Sequence, residues 1–316
     1  MIRLLSALAF FITSISMSAA TPVKSTQVYK VVDGLEIKAD VFSYPDSKLR
    51  PVVVWFHGGA LINGGRGGVS GVVRKFAADN GYVLVSFDYR LAPESKLPAI
   101  IEDLEDAFRW LRREGPKQFH IDAERIGVTG GSAGGYLTLA AGHRVQPPPT
   151  VLLAFWGYGD LVGDWFAKPS PHAGHRRIVV SRKNALKQVN GPPIANSKDR
   201  AGNGGMFYQH CRQHGIWPTM VSTWDPVTEH DKFIPFMPVK NVTASYPPTV
   251  LIHGTKDTDV PFEQSVMMAS EFKANGVPHL FLEIENGEHG LAGADRKDVV
   301  AAQAKALDFV KARLTR

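Results

Sequence analysis

The 316-residue chain has one cysteine, Cys211, so no internal disulfide can form and stability must come from a packed core. Long apolar runs are scarce as well. The run from Leu4 to Ile15 is about a dozen residues, against the roughly 20 that a membrane span needs, and no other segment approaches that length. Concentrated charge of one sign is missing too. Lys and Arg number 36 against 30 Asp and Glu, and the local basic clusters are only Arg176-Arg177 and Arg182-Lys183. That describes a solvated surface and excludes a nucleic-acid-binding stripe. With 44% hydrophobic and 21% charged residues, the composition is that of a globular protein built on one core.

The apolar run near the start follows Met1-Ile2-Arg3 and ends in Ser18-Ala19-Ala20 before Thr21-Pro22. A basic start, a short apolar stretch and small residues at the cleavage positions make a secretory signal over residues 1–20, cut after Ala20. The expectation is therefore a secreted or periplasmic protein with no stable membrane insertion. The mature chain, residues 21–316, reads as a single domain.

From Gln27 to Val41 two strands flank Asp33-Gly34, a pair that favours a tight hairpin, with Val28, Lys30 and Val32 and then Leu35, Ile37 and Ala39 alternating. Pro51 to Phe56 and Tyr82 to Phe87 are apolar without alternation, as strands buried on both faces are. Further strands fall at Ile126 to Thr129, Val151 to Trp156, Thr249 to His253 and Leu280 to Ile284. Helices are expected at Val72 to Asn80, from Pro98 until Gly115-Pro116 stops it, at Phe262 to Asn275 and at Ala294 to Leu314. Strands alternating with helices give an α/β class: a mainly parallel sheet of about eight strands covered on both faces.

One stretch, about 157–246, breaks the alternation with Pro, Gly, His and aromatics, among them Trp165, Phe166, Phe207, Tyr208, Trp217 and Trp224. It is too long for a plain loop, so parts should be helical, near Ser181 to Val189 and Gly205 to His214. We read it as an inserted cap over the carboxyl ends of the strands, where such sheets bind ligands.

Gly130-Gly131-Ser132-Ala133-Gly134 lies between the strand ending at Thr129 and a helix-forming run. A strand, a Gly-x-Ser-x-Gly turn and a helix describe a nucleophile elbow, in which flanking glycines let the serine occupy a strained backbone. A serine hydroxyl is a weak nucleophile and needs a base, which in turn needs an orienting acid. Asp257 follows the strand ending at His253, and His289 follows the strand ending at Ile284. The order Ser132, Asp257, His289, each just past a strand end, would gather all three at one sheet edge. Asp259 competes for the role of acid; Asp257 is preferred because Asp259 immediately precedes Val260-Pro261. Glu288 is expected to be exposed. His57-Gly58-Gly59-Ala60 leaves a strand where it can present the amides of Gly59 and Ala60, joined by that of Ala133, as an oxyanion hole. His57 is expected to tie down that loop.

These segments, together with Tyr89-Arg90-Leu91-Ala92-Pro93-Glu94 and Gly135, resemble the α/β-hydrolase superfamily. The likeness is strongest to hormone-sensitive-lipase-like bacterial esterases and to the feruloyl and acetyl-xylan esterase branch. It covers most of the mature chain apart from 157–246. The resemblance implies an eight-stranded sheet, Ser132 as nucleophile, His289 as base, Asp257 as its partner, and hydrolysis of short acyl or carbohydrate-linked esters without a cofactor or metal. Two departures stand out. Ala60 replaces the third glycine of the usual loop, which suits an amide donor only if its φ is negative. The segment from Thr21 to His57 has room for a hairpin and not for an N-terminal helical lid.

Competing readings are a serine peptidase of the prolyl-oligopeptidase type, disfavoured because no propeller-length segment precedes the elbow, and a binding module that keeps the fold without chemistry. His210 and His214 flank Cys211 at helical spacing, and His172 lies near His175, but neither pair has a carboxylate at ligand spacing, so packing roles are expected. Asn241-Val242-Thr243 fits a glycosylation acceptor. Asp88 and Arg90 are expected to anchor the loop between strand and helix.

Overall fold

The structure is a computed structural model describing residues 21–315; the expected leader, 1–20, lies outside the described residues. Eight strands form one sheet: β1 (Val23–Val32), β2 (Leu35–Ser43), β3 (Arg50–Phe56), β4 (Val83–Phe87), β5 (Ile121–Gly131), β6 (Val151–Phe155), β7 (Thr249–Gly254) and β8 (His279–Ile284). Their spatial order is β1-β2-β4-β3-β5-β6-β7-β8. The first two are antiparallel, and β4, β3 and β5 to β8 run parallel.

Asp33 and Gly34 both take positive φ, 48° and 84°, the backbone a two-residue hairpin turn requires. The alternation read in β1 is corrected by a bulge between Val28 and Lys30. Val28 is 42% exposed, whereas Tyr29 is buried and donates its hydroxyl to the Asp88 carbonyl at 2.8 Å. An extra residue in one strand reverses which side chains face inward. Lys30 then meets Asp103 and Asp106 on the neighbouring helix at 2.7 and 2.6 Å.

The parallel strands are buried on both faces. Val53, Trp55, Leu153 and Val250 pack under α1 (Gly71–Asp79) and α10 (Arg296–Leu314). Val52, Val54, Phe56 and Leu152 pack on the other face under α2 (Leu97–Phe119) and α3 (Ala133–Arg144), with α9 (Glu263–Ala274) beside them. Burying each such aliphatic side chain contributes about 1.5–3 kcal/mol. Gly115-Pro116 does not stop α2, contrary to expectation. Proline this close to the end removes one donor only, and the last turn is held by buried Phe119 until His120, at φ 53°, ends it with its N–H on the Gly115 carbonyl.

Between β6 and β7 the chain forms five short α-helices, α4 (Asp164–Ala167), α5 (Ala173–Arg176), α6 (Arg182–Leu186), α7 (Gly205–His214) and α8 (Trp217–Ser222), and four single-turn 3-10 helices. Their aromatics pack among themselves, with Phe166 stacked on Trp217 at 3.9 Å and Tyr158 edge-on to Phe166 at 5.6 Å. The segment is also bonded to the loops that leave β3 and β4. Arg200 donates to Glu94 and to the Ala92 and Ile62 carbonyls, and the Leu91 amide donates to the Ile194 carbonyl.

Candidate active site

Ser132 stands between β5 and α3 at φ 57°, ψ −122°, a region costing about 1–3 kcal/mol for a residue with a Cβ. Its neighbours permit this. A Cβ on Gly130 would lie 2.4 Å from the Gly134 carbonyl oxygen, and one on Gly134 would lie 2.0 Å from the Phe56 oxygen. Only glycine lets β5, α3 and β3 approach so closely. The Ser132 amide donates to the Phe155 carbonyl at 3.0 Å, so the elbow hangs from β6. Its side chain is half-buried, and among the described residues its hydroxyl makes no hydrogen bond.

The loop after β3 lies directly against the elbow: a Cβ on Gly58 would meet the Gly131 oxygen at 2.8 Å and Ser132 Cβ at 3.3 Å. His57 is buried and stacked on Tyr89 at 4.2 Å. Its Nδ1–H donates to the Gly58 carbonyl at 2.8 Å, and burial lowers its pKa to about 4, so the ring is neutral. Tyr89 donates its hydroxyl to the His57 carbonyl at 2.8 Å. Gly59, Ala60 and Leu61 all have positive φ, at 109°, 55° and 62°. The condition set above for Ala60, a negative φ, is therefore not met; the turn holds an alanine in left-handed backbone. Trp217 supplies part of the restraint, donating Nε1–H to the Ala60 carbonyl at 3.0 Å. Among the described residues no acceptor takes the amides of Gly59, Ala60 or Ala133.

Asp257 and His289 meet. His289 Nδ1 donates to Asp257 Oδ2 at 2.8 Å, and Asp257 Oδ1 accepts the amides of Asp259 and Val260 at 2.9 and 2.8 Å. Burial alone would raise the Asp257 pKa; donors from His253, His289 and Val260 outweigh it and hold the carboxyl below its ordinary value. For His289 burial lowers the pKa, but the hydrogen bond to Asp257 and the charges of Asp259 and Asp257 reverse the sign, and the net shift is upward. Trp156, immediately after β6 at φ 35°, stands edge-on to the His289 ring at 6.2 Å, and its indole would be 3.2 Å from a Cβ on Gly131. The indole thus lies between the elbow and His289.

Glu288 is not exposed as expected: its Oε2 accepts from the Thr258 amide at 3.0 Å and the Thr258 hydroxyl at 2.9 Å. Asp259 lies on the other side of His289, with Oδ2 3.6 Å from Nε2. Its Oδ1 accepts from the Tyr208 hydroxyl, from His175 Nε2 at 2.9 Å and from Arg212 Nη1 at 3.2 Å. Sequence reading missed these holders. Tyr208 and Arg212 are four apart on one face of α7, a signal masked by attention to His210 and His214. Of that pair, His210 Nδ1 donates to the Val180 carbonyl at 2.9 Å and its ring lies 4.3 Å from that of His214; of the other two histidines, His175 is the Asp259 partner just named.

Among the described residues the acidic cluster Glu102, Asp103 and Asp106 is close enough to hold a cation, but Lys30 and Arg90 already occupy it as ion pairs. Arg90 thereby anchors the loop after β4 to α2, and Asp88 accepts from the Arg66 amide and from Asn196. Asn241 spends its side-chain nitrogen on the Ile234 and Met237 carbonyls at 2.7 and 2.8 Å. A surface cleft of about 720 Å³, lined by His143, Arg144, Lys240 and Thr243, does not include Ser132, Asp257 or His289.

Comparison with known proteins agrees with this architecture. Residues 53–185 match the family described as alpha/beta hydrolase fold, and residues 206–316 match the prolyl oligopeptidase family. A non-reducing polyketide synthase, ascC of Acremonium egyptiacum, is 28% identical over 303 residues, 84% of this chain and 14% of that protein. Esterase LipI of Mycobacterium tuberculosis is 40% identical over 115 residues, 35% of this chain and 36% of that protein. The chain thus spans well under half the length of these curated relatives. Among solved structures, a carbohydrate esterase from gut microbiota superposes with TM-score 0.66 at 18% identity, covering 95% of this chain and 99% of that one. An acetyl ester-xyloside bifunctional hydrolase from Caldicellulosiruptor lactoaceticus does so with TM-score 0.67 at 20% identity, covering 93% and 98%. With the eight-stranded sheet, the strained elbow after β5 and these matches in agreement, the chain has the α/β-hydrolase fold.

Proposed function

We propose that the protein is a serine carboxylic-ester hydrolase acting through an acyl-enzyme on Ser132. The observation that carries the reading is the 2.8 Å bond from His289 to Asp257 at the same sheet edge as the strained Ser132 elbow. Asp257 fixes His289 with its proton on Nδ1, leaving Nε2 free to take the Ser132 proton as the hydroxyl attacks the ester carbonyl. The amides of Gly59, Ala60 and Ala133 receive the oxyanion, that of Ala60 in spite of its positive φ because no acceptor among the described residues takes its N–H, each such donor contributing about 2.7–4 kcal/mol. Nε2–H then protonates the departing alcohol, and water activated by the same imidazole releases the acid. The missing Ser132 hydrogen bond is compatible with this, since such bonds often tighten only with substrate present.

The substrates are short acyl or carbohydrate-linked esters, acetyl or feruloyl; the carbohydrate and acetyl part of this reading is supported by the names of the two neighbours. The 157–246 segment serves as the cap, and residues 1–20 as a leader for export. Ser132→Ala should lower turnover of p-nitrophenyl acetate at least about 10³-fold with the fold intact; full activity would refute the proposal.

The match of residues 206–316 to the prolyl oligopeptidase family favours a second reading, amide cleavage by the same groups. Aminoacyl arylamides compared with aryl esters decide between them. Labelling of Ser132 by a fluorophosphonate separates both from a non-catalytic module.

A further inference from the structure

Asp259 has one oxygen fully engaged and one nearly idle. Oδ1 takes three donors from the segment between β6 and β7, the Tyr208 hydroxyl, His175 Nε2 and Arg212 Nη1. Oδ2 has only the His289 Nε2 approach, at 3.6 Å, too long for a hydrogen bond. The side chain is 25% exposed, and with Oδ1 enclosed by its three donors, Oδ2 is the oxygen left open beside His289. Asp257 already orients the imidazole from Nδ1, and a second carboxylate is not needed for that.

We infer that Asp259 Oδ2 is the group that recognises the alcohol half of the substrate, accepting a hydrogen bond from a neutral hydroxyl on the carbon next to the ester oxygen. The substrates are then partial esters of polyols or sugars with a free neighbouring hydroxyl. This rests on the ester-hydrolase reading above and specifies its substrate class.

Three features of the site support it. In the proposed reaction, Nε2 delivers its proton to the leaving oxygen and so lies about 2.6–3.2 Å from it. An acceptor 3.6 Å from that nitrogen is within reach of a hydroxyl one carbon further on. The charge suits a neutral donor as well: Arg212, 1% exposed, is already paired with Asp259, so Oδ2 needs no cation from the substrate and a hydroxyl satisfies it. Finally, a partly desolvated carboxylate oxygen without a donor costs free energy that a substrate hydroxyl recovers, whereas an ether oxygen at the same place cannot donate and meets a repulsive lone pair.

The test compares kcat/KM, at a pH where the profile is flat, for 2-hydroxyethyl acetate and 2-methoxyethyl acetate, which differ in the donor and little in electron withdrawal. The wild-type protein should prefer the hydroxyl ester about tenfold, the scale of one hydrogen bond to a charged acceptor. In Asp259→Asn the donors of Tyr208 and Arg212 claim the amide oxygen and leave the NH₂ facing His289. That group donates to hydroxyl and ether alike, so the ratio should fall to about two or less. Tyr208→Phe, which removes one holder and keeps the ring, should give an intermediate ratio, and it replaces Asp259→Asn if that variant fails to fold.

A wild-type ratio near one overturns the inference, as does an Asp259→Asn variant that slows both esters equally, the mark of a purely structural carboxylate. Preference for 2-(trimethylammonio)ethyl acetate over both would overturn it in favour of a cation site. Turnover of p-nitrophenyl acetate with none of these three esters cleaved also overturns it and leaves the ester-hydrolase reading standing. Absence of turnover on every ester sinks that reading and this inference with it.

Discussion

Trp217 and Ala60, 157 positions apart in the chain, are joined by a 3.0 Å hydrogen bond from the indole N–H to the Ala60 carbonyl. The indole is also stacked on Phe166, so its position is set by aromatic packing in the segment between β6 and β7. Ala60, in left-handed backbone, is thus held at its carbonyl by a side chain from another part of the fold, and its amide, in the preceding peptide unit, is one of the proposed oxyanion donors.

Trp217→Phe keeps the stacking and removes the N–H. We expect kcat to fall about tenfold, less than the ~10²-fold loss of an entire oxyanion donor, with KM nearly unchanged. Denaturant unfolding should show a loss of about 1–3 kcal/mol from the unpaired carbonyl. Unchanged kcat would mean that Ala60 needs no such tether.

The pH profile follows from His289. Its pKa lies above the usual 6.5, because burial, which lowers it, is outweighed by the Asp257 hydrogen bond and the charges of Asp259 and Asp257. Only the neutral ring can take a proton from Ser132, so kcat/KM should fall with acidification through a midpoint above 6.5. Asp259→Asn removes one charge that favours the imidazolium and should move that midpoint to lower pH. The same raised pKa contributes stability that is full below the unfolded value and lost as pH rises through the folded one. Asp257, shifted downward, acts oppositely: its contribution is present above the unfolded carboxylate value and lost as pH falls through the folded one. Urea midpoints across pH for wild type, His289→Ala and Asp257→Asn test both signs.

Glycine substitutions separate packing from flexibility. Gly134→Ala places a Cβ 2.0 Å from the Phe56 carbonyl oxygen, where backbone must shift, and should cost more than about 3 kcal/mol and abolish activity. At Gly67 a Cβ meets nothing within 4 Å, and Gly67→Ala should change stability by less than about 1 kcal/mol. Thermal unfolding of the two variants makes the comparison.

Cys211 is buried and desolvation raises its thiol pKa to about 12. Native protein should therefore react negligibly with a thiol reagent at neutral pH, and labelling should follow unfolding. Fast labelling of folded protein would show that α7 opens locally.

Much of this was legible in the residues because local chemistry carries it. Asp33-Gly34 needs only its own backbone to turn, and Gly130 and Gly134 announce a close approach whatever the partner. Uninterrupted apolar runs such as Pro51 to Phe56 mark strands covered on both faces. What escaped depends on groups remote in sequence. The β1 bulge turns Tyr29 inward because Asp88 offers its carbonyl, and α2 runs past Pro116 because Phe119 has a buried place to go. Ala60 takes a conformation its own side chain disfavours, beside a tether from Trp217. The donors around Asp259 come from positions 175, 208 and 212; helical spacing puts Tyr208 and Arg212 on one face of α7, but nothing in it ties them to His175 or to Asp259.

Glu288 fastens the loop bearing His289 to the loop bearing Asp257 through Thr258, and two further bonds, from the Lys256 amide to the Gly287 carbonyl and from the Asn286 amide to the Thr255 hydroxyl, run beside it. The loops of Asp257 and His289 are therefore tied to each other. If a ligand draws Ser132 and His289 together, the adjustment falls to rotation of the Ser132 side chain or to the two tied loops moving as a unit, because swivelling the imidazole alone would break its bond to Asp257.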